Sequence, residues 1–262
     1  ARGRTHIVGP FNLSINEEVG LLVEGFDTPP MILMGHDPAY AGKRVEEQGY
    51  VKAKDVFAYR ADETGDIPEI AQKRVKRGLP AGVVLRQLDM KRYDHEVQTL
   101  TDILNDAWKD NWGFTATTEA ETAQLGKALR QVIDKRLIWF AEIDGEAAGV
   151  VVFLPNVNEA IADLNGKLLP FGWAKLLWRL KVKGVKSARI PLMGVKRKFS
   201  TTQRGRMLPF WMMKASRDMA MSLGYNRYEI SWVLEDNKAM CHIAENVGGT
   251  HYKTYRIYEK AL

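Results

Sequence analysis

The residues with the clearest capacity for chemistry form a basic stretch in the second half of the chain. Between Lys167 and Arg217 the sequence holds 14 Lys or Arg and no Asp or Glu, where average usage in this chain would give about six acids. The overall net charge is +6, so the remainder of the chain is net negative. Such a stretch is either a solvated basic face or a site for a polyanion: a phosphorylated cofactor, an acidic carrier protein, anionic lipid or nucleic acid.

The densest part of this stretch, KRKFSTTQRGRM at positions 196–207, comes just before an apolar helical segment. A helix N-terminus presents unpaired N–H groups and a partial positive charge, which suits a phosphate. Gly205 lets the backbone approach an anion closely, and Arg204 and Arg206 can contact phosphate directly. The sequence therefore predicts an anion site here, with a basic surface turn as the alternative.

Little in the sequence supports a metal site or a reactive cysteine. Cys241 is the single cysteine and His242 follows it directly. Adjacent residues on a helix do not face each other, so a Cys–His nucleophilic pair is not expected. The other histidines show no metal-ligand spacing, and we predict no metal site.

The bulk composition is that of an ordinary folded domain, with 262 residues, 45% of them hydrophobic and 27% charged. No apolar run reaches the roughly 20 residues that cross a membrane, and no signal peptide is evident. We expect a cytoplasmic protein. Because the chain begins at Ala1, we also expect that its natural start is missing.

The elements alternate between strand and helix patterns. A capping box at Thr118 and Glu121 opens one helix, and Asp144-Gly145 marks a hairpin turn. The short run MILM predicts a strand, Asp37-Pro38 predicts a helix start, and a helix is expected from Met207 to Gly224. The order of elements predicts an α/β (α+β) protein built around a mixed sheet.

One sequence segment occurs twice in similar form. Residues 36–60 align with residues 235–259 at an offset of 199, which places Glu46 on Glu245 and Tyr59 on Tyr258. Each copy predicts a short helix, a glycine stop and an alternating strand. We therefore divide the chain into a partial repeat at 1–60, a linker at 61–82 and a complete domain at 83–262. Coincidence between two similar units is the alternative.

From Val83 to Leu262 the chain resembles the GNAT superfamily of acyltransferases. The resemblance is carried by the element order, by PLMGV followed by KRKFSTTQRGR, by Asn237 in EDNKAM, and by Gly248-Gly249. Together with NWGF, LNGKLLPFGWAKLL and SWVLEDN, these segments look like a group of bacterial GNAT-like proteins of uncertain substrate. The resemblance implies a mostly antiparallel sheet flanked by helices, preceded here by the partial repeat.

The resemblance also implies a cofactor site for acyl-CoA or acetyl-CoA as co-substrate. In this family two strands splay apart to admit the pantetheine arm, and a backbone N–H, here near Gly194 or Val195, binds the thioester oxygen. The usual glycine pattern is incomplete. Counting forward from Val195 places Gln203 and Gly205 at its positions, and counting back from Gly224 places Met207 and Pro209 there. The implied cofactor-binding residues are Gly194, Val195, Gln203, Arg204, Gly205, Arg206, Met207 and Asn237.

The family's usual tyrosine acid lies seven residues after the helix asparagine, where this chain has Ala244. We assign Glu235 as base, Ser231 as a residue that holds a water, and Tyr255 as substitute acid, with Tyr258 as another substitute and Glu229 as a lesser candidate base. Each has a plainer alternative, in capping for Glu235 and in packing for the others.

Two aromatic features are assigned to substrate binding: Trp112 and Phe114 in the NWGF corner, and Trp173 in the segment 164–186. That segment can line a long-acyl pocket, lie on a membrane surface, or cover the sheet.

The sequence thus predicts an N-acyltransferase that moves an acyl group from acyl-CoA, or from acyl carrier protein, to a small amine acceptor. One alternative is a catalytically weak GNAT-like protein that binds a ligand or partner. Another is a binder of anionic membranes or nucleic acid through the basic stretch. Nucleic acid is the least expected partner because no nucleic-acid motif is present, and peripheral membrane contact stays open.

Overall fold

The computed structural model describes residues 3–12, 14–62, 69–130 and 133–262. The strands are β1 His6–Gly9, β2 Phe11–Asn12, β3 Glu18–Val19, β4 Leu21–Glu24, β5 Val51–Asp62, β6 Val83–Gln87, β7 Ile138–Ile143, β8 Glu146–Pro155, β9 Ser187–Val195, β10 Arg227–Leu234 and β11 Thr250–Ala261. The helices are α1 Ala41–Glu47, α2 Glu69–Lys76, α3 Tyr93–Ala107, α4 Glu119–Leu129, α5 Val157–Ile161, α6 Gly172–Trp178, α7 Arg197–Ser200, α8 Gln203–Ser222 and α9 Lys238–Asn246. Short 3-10 turns span Met90–Arg92 and Lys135–Leu137, and a π turn, Arg179–Lys183, continues α6.

One mixed sheet organises the molecule, in the order β1-β11-β5-β10-β9-β8-β7-β6, with β4 also paired to β11. Only β9 and β10 run parallel among its pairs. Alternate side chains of β7 and β8 enter two different cores, as period-2 geometry requires. Ala141 and Val151 join the core beneath α8 and α9, while Phe140 and Val150 join the core beneath α3. The predicted α/β sheet flanked by helices is confirmed.

Several local predictions are confirmed and others are wrong. Thr118 and Glu121 form the reciprocal capping box, and Asp144 and Gly145 both take positive φ at the hairpin turn. The segment 31–34 (MILM) is a turn rather than a strand. Helix α1 begins at Ala41, after the predicted Asp37-Pro38 start, because the Asp37 carboxylate instead accepts a hydrogen bond from the Leu22 N–H.

The N-terminal part is not separate from the main sheet. Strand β5 lies between β10 and β11 and is antiparallel to both, with Tyr59 opposite Ile230 on one side and opposite His251 on the other. Residues 61 and 62 end this strand rather than begin a linker; residues 63–68 of the predicted linker lie outside the described residues. The relation of 1–60 to a repeat stays a prediction.

The two copies of the repeated segment lie side by side in the structure. Their strands, β5 and β11, pair antiparallel, and each strand's tyrosine contacts the helix of the other copy. Tyr258 donates to Glu46 on α1 at 3.1 Å, and a Cβ on Gly42 would lie 3.1 Å from the Tyr258 hydroxyl. Burial and the nearby Cys241 thiol raise the pKa of Tyr59, and the offset of 199 aligns Cys241 with Gly42. The two helix–strand units are therefore related by a local pseudo-twofold arrangement.

A buried ion pair joins β5 to β11 and gives a test of this arrangement. Asp55 is 5% exposed and accepts from Arg256 at 2.9 and 3.1 Å, with Lys52 at 2.9 Å. Burial alone would raise the pKa of Asp55, but the bonds from Arg256 and Lys52 outweigh burial and hold that pKa below its ordinary value.

We expect Asp55→Asn to lower the free energy of unfolding at pH 7 by about 3 kcal/mol, because it leaves a half-buried arginine without its carboxylate. A depressed folded-state pKa contributes stability above the unfolded pKa and loses it as pH falls. The difference between the two proteins should therefore shrink as pH drops below about 4. Urea unfolding at pH 7 and pH 3 measures this, with Asp218→Asn in the exposed pair with Lys214 as the matched control. A constant difference across pH would contradict the assignment.

Candidate active site

A gap between β9 and β10 forms the centre of the site. The two strands pair in parallel from Ser187–Arg227 to Ile190–Ile230, and the pairing stops there. Pro191 comes next on β9 and has no N–H to offer a neighbouring strand, while β10 has a register irregularity between Ile230 and Val233. Beyond this point the two strands no longer pair, which leaves a gap between them. Two carbonyls there are already bonded: Met193 accepts from Trp108 Nε1 at 3.2 Å, and Ser231 accepts from Arg189 at 3.4 Å.

Backbone alternation decides which N–H groups face the gap. Lys196 donates to the Ala148 carbonyl at 2.8 Å, so in this antiparallel pair Gly194 also turns its N–H toward β8. Val195 lies between them and turns its N–H toward the gap. Of the two predicted donors to a thioester oxygen, Val195 therefore fits and Gly194 does not. Gly194 has a packing role, since a Cβ there would lie 3.0 Å from Ala107 on α3.

A tight turn follows β9 and leads into α8. Thr202 is the N-cap, accepting from the Gly205 N–H at 3.0 Å and donating to the Phe199 carbonyl at 2.8 Å. A Cβ on Gly205 would lie 1.9 Å from that carbonyl oxygen, so only glycine fits. The N–H groups of Gln203 and Arg204 stand in the first turn, where a helix has no internal acceptors. Counting forward from Val195 therefore places Gln203 and Gly205 in this first turn, and binding of a phosphate there stays a prediction.

The alternative count, through Met207 and Pro209, is wrong. Helix α8 begins at Gln203, so both residues lie inside it, and both are buried. Met207 contributes its side chain to the core between α8 and the sheet, which excludes the cofactor-binding role predicted for it.

Much of the basic charge near the turn is already paired. Arg204 binds Asp144 at the hairpin tip at 2.8 and 3.0 Å and holds the pKa of that carboxyl below its ordinary value. Lys198 pairs with Glu146 at 2.5 Å. Arg206 is exposed on the first turns of α8 and takes part in none of the ion pairs found among the described residues. Of the two arginines predicted to contact phosphate, Arg206 is the one left available.

We expect Arg206→Glu to weaken binding of coenzyme A by about tenfold or more, because it places a negative charge beside the proposed phosphate position. Arg204→Gln is the control: it breaks the pair with Asp144 but puts no negative charge beside the phosphate position, so its effect should be several-fold smaller. Thermal shift against coenzyme A concentration measures both. Equal effects, or a larger one at Arg204, would contradict this geometry.

A buried polar cluster lies where the gap begins. Arg189 on β9 and Glu229 on β10 are register partners, with Nε and Oε1 3.6 Å apart. Ser231 bridges them, accepting from Arg189 Nε at 2.9 Å and donating to Glu229 Oε1 at 2.6 Å. Tyr252 on β11 donates its hydroxyl to the other Glu229 oxygen. Three polar side chains from three strands therefore meet around the Glu229 carboxylate.

The surroundings of this cluster are apolar. Glu229 is fully buried and Arg189 is 2% exposed. Burial raises the pKa of Glu229 against the opposing effects of Arg189, Ser231 and Tyr252, and burial lowers the pKa of Arg189. The Arg189 guanidinium also stacks 4.4 Å from the Trp232 ring centre. It donates to the carbonyls of Ile32 and Leu33 at 2.8 and 2.9 Å. A carboxylate with a raised pKa is a better base than a surface carboxylate.

The structure brings only one of the three predicted catalytic residues, Ser231, into this cluster. Glu235 lies on the rim, where it binds Lys52 at 2.7 Å and the Asp55 N–H at 3.1 Å. Tyr255 is fully buried and donates to the Gly35 carbonyl at 3.1 Å, which is a packing role. Glu229, the lesser candidate, and Tyr252 take the central positions.

Asn237 caps α9, accepting from the Met240 N–H at 3.1 Å, so its side-chain oxygen is committed to the helix. The N-cap position predicted from the family is correct; a contact to cofactor stays a prediction. Ala244, where the family's tyrosine is expected, is fully buried in the core and can hold no acid.

The aromatic residues separate into two places. Trp112 packs in the same apolar cluster as Trp232 and Leu234 of the gap, and Lys54 Nζ lies 5.8 Å above its ring. Phe114 is half-buried in the same corner. Trp173 is 51% exposed on α6 and donates to the Pro170 carbonyl at 3.0 Å. It is a surface residue, contrary to the expectation of a pocket residue.

Two curated proteins match the whole chain. The bacterial ceramide synthase of Caulobacter vibrioides is 88% identical over 262 residues, which are 68% of its own length. Protein YghO of Escherichia coli is 42% identical over the same 262 residues, which are 67% of its length. The chain belongs to the family of these two proteins. A scan against protein-family models found no match.

Solved structures show that this family has the GNAT fold. A GCN5-related N-acetyltransferase from Sphaerobacter thermophilus aligns with a TM-score of 0.56 and 14% identity over 86% of this chain and 56% of its own. A tandem GNAT protein from the clavulanic acid biosynthesis pathway aligns with a TM-score of 0.52 and 11% identity over 99% of this chain and 65% of its own. The GNAT resemblance is confirmed, and with the ceramide synthase relative it makes this chain an acyltransferase.

Proposed function

We propose that this protein joins a fatty acyl group to the primary amine of a long-chain amino alcohol, the amide bond that defines a ceramide. Its 88% identity to a protein named bacterial ceramide synthase supports the acceptor class. The observation that carries the chemistry is the carboxylate of Glu229, buried at the start of the gap between β9 and β10 and bonded to Ser231.

The donor is an acyl thioester whose pantetheine arm lies in the gap. The free N–H of Val195 faces the position of the thioester oxygen and stabilises the negative charge that develops on it. The turn before α8 offers the N–H groups of Gln203 and Arg204, with Arg206 beside them, to a pyrophosphate. This arrangement favours acyl-CoA; acyl carrier protein, which presents a single phosphate on the same arm, is the second donor.

Glu229 acts as the general base through Ser231. The acceptor ammonium loses one proton to this pair, and the neutral amine attacks the thioester carbon. The carbon–nitrogen bond forms, the carbon–sulfur bond breaks, and the departing thiolate takes a second proton from the amine nitrogen, which leaves the amide. Tyr252, the partly exposed member of the cluster, provides the route by which Glu229 returns its proton to water.

The direct test incubates the purified protein with palmitoyl-CoA and sphinganine and detects N-palmitoyl-sphinganine by mass spectrometry. Parallel reactions replace the donor with acetyl-CoA or palmitoyl-acyl carrier protein, and the acceptor with a short amino alcohol. Turnover of the long-chain pair is expected to exceed that of either short substrate. Tight binding of a thioester without amide formation from any acceptor would favour a catalytically weak binding protein instead.

A further inference from the structure

The insertion between β8 and β9, residues 164–186, presents an apolar surface to solvent. Seven of its large hydrophobic residues are each about half or more exposed: Leu168, Leu169, Phe171, Trp173, Leu177, Trp178 and Val182. Leu169 and Phe171 are the most exposed, at 81% and 77%. Contiguous apolar surface of this kind marks an interaction site more often than isolated exposed residues do.

This surface is held in shape by contacts within the insertion. Trp173 donates its backbone N–H to the Leu168 carbonyl at 2.9 Å, which closes the turn that carries Leu169 and Phe171. A Cβ on Gly172 would lie 2.3 Å from the Lys167 carbonyl, so the turn needs glycine there. Arg179 binds Asp163 at 2.5 and 2.9 Å and fixes the helix to the residues after α5.

The helix α6 runs directly into the π turn, and large apolar side chains of both are exposed to solvent. Its exposed side chains repeat at the spacing of one helical face, Trp173 with Leu177 and Trp178 with Val182. The alternative that this segment covers the sheet is therefore not supported, and its apolar side chains remain free for a partner.

The charges beside the apolar residues indicate what kind of partner this surface binds. Lys167, Lys183 and Lys186 are exposed at the two ends of the insertion, and none of the ion pairs among the described residues includes them. Two acids contact the segment: Asp163 is bound to Lys175 and Arg179, and Glu159 accepts from the Lys186 N–H at 2.9 Å. Tryptophan, phenylalanine and leucine with flanking lysines are the composition of surfaces that enter the lipid headgroup region.

We propose that residues 164–186 form a docking surface for an anionic phospholipid bilayer. Leu169, Phe171 and the exposed face of α6 enter the headgroup–acyl boundary, and the lysines contact lipid phosphates. None of the described helices is long and apolar enough to cross a membrane, so the docking is peripheral. Long-chain amphiphiles reside in such a bilayer, so docking would supply the acceptor class of the proposed reaction, although binding itself does not depend on that chemistry.

The test is co-sedimentation of the whole protein with phosphatidylcholine vesicles that contain about one third phosphatidylglycerol, against pure phosphatidylcholine. The protein should partition to the anionic vesicles, and the partition coefficient of the double variant Leu169→Glu, Phe171→Glu should fall at least about tenfold. The control is Val84→Glu with Leu125→Glu, which adds two acids at exposed apolar positions outside the insertion and should stay within about twofold. Raising salt from about 0.1 to 0.5 M should weaken binding.

Absence of binding to anionic vesicles, or equal loss in the two double variants, would overturn the proposal. Loss of binding to acyl carrier protein in the insertion variant, with no vesicle binding by the unaltered protein, would assign the surface to a protein partner instead. Vesicle binding without amide formation would keep this surface and remove the proposed reaction.

Discussion

Replacing Glu229 with glutamine is expected to lower kcat for amide formation by about 10²–10⁴-fold, the range for loss of a positioned general base. Glutamine keeps the shape of the side chain and can still accept the bond from Ser231, but it takes no proton. The KM for the thioester should change little, because the turn that binds the cofactor belongs to another part of the site. Steady-state kinetics with the long-chain pair measure both constants.

The pH profile separates a base from a structural residue. Burial raises the pKa of Glu229 above its ordinary value, so the kcat/KM of the unaltered protein should fall as pH drops through that raised pKa. The residual activity of Glu229→Gln should lack this fall. Ser231→Ala keeps the carboxylate but removes the hydroxyl through which it takes the proton, so its residual activity should also lack this fall. A Glu229→Gln protein that stays folded and retains near-normal kcat would exclude the base assignment.

Gly205→Ala is expected to abolish detectable binding of coenzyme A. The added methyl group would lie 1.9 Å from the Phe199 carbonyl oxygen and 3.1 Å from Thr202 Oγ1, and the first of these neighbours is backbone that cannot rotate away. The start of α8 must therefore separate from the preceding turn, which scatters the N–H groups of Gln203 and Arg204. Thermal denaturation with and without coenzyme A measures both the stability and the loss of the ligand-induced shift.

A matched substitution shows whether any glycine-to-alanine change would do the same. Gly9 on the edge strand β1 has an ordinary φ, and a Cβ there would meet one atom, the Phe11 nitrogen, at 3.6 Å, a normal contact. Gly9→Ala should leave the coenzyme A shift intact. If Gly205→Ala kept a full shift while its stability fell, the turn would be structural and the phosphate position would lie elsewhere.

Local patterns in the sequence predicted many of the elements and the glycine turn before α8. The capping box at Thr118, the hairpin at Asp144 and the glycine at Gly205 depend on neighbours within a few residues, so their geometry is encoded locally. The count back from Gly224 to Met207 failed because the helix was expected to begin at Met207. Helix α8 in fact begins at Gln203 and includes Pro209. That helix already has its cap at Thr202.

The buried cluster could not be predicted in full, because its members come from positions 189, 229, 231 and 252 on three strands. A signal was present: Arg189 and Glu229 each interrupt an otherwise apolar or aromatic strand, and charged residues are rarely buried unless paired. The pairing itself required the parallel register of β9 and β10. The position of β5 between β10 and β11 could not be predicted either, because alternating apolar and polar residues do not indicate which distant strand pairs with it.

The position of β5 in the sheet has a consequence for folding during synthesis. Its twelve residues are synthesised before both of their sheet neighbours, and the later neighbour begins about 190 residues further on. At about 5–20 residues per second, the strand waits roughly 10–40 s for that partner to be synthesised. Five of its twelve residues are charged, which discourages pairing with other chains during the wait. The charged residues of VKAKDVFAYRAD therefore discourage aggregation of β5 during synthesis, before the strand pairs with its neighbours in the folded sheet.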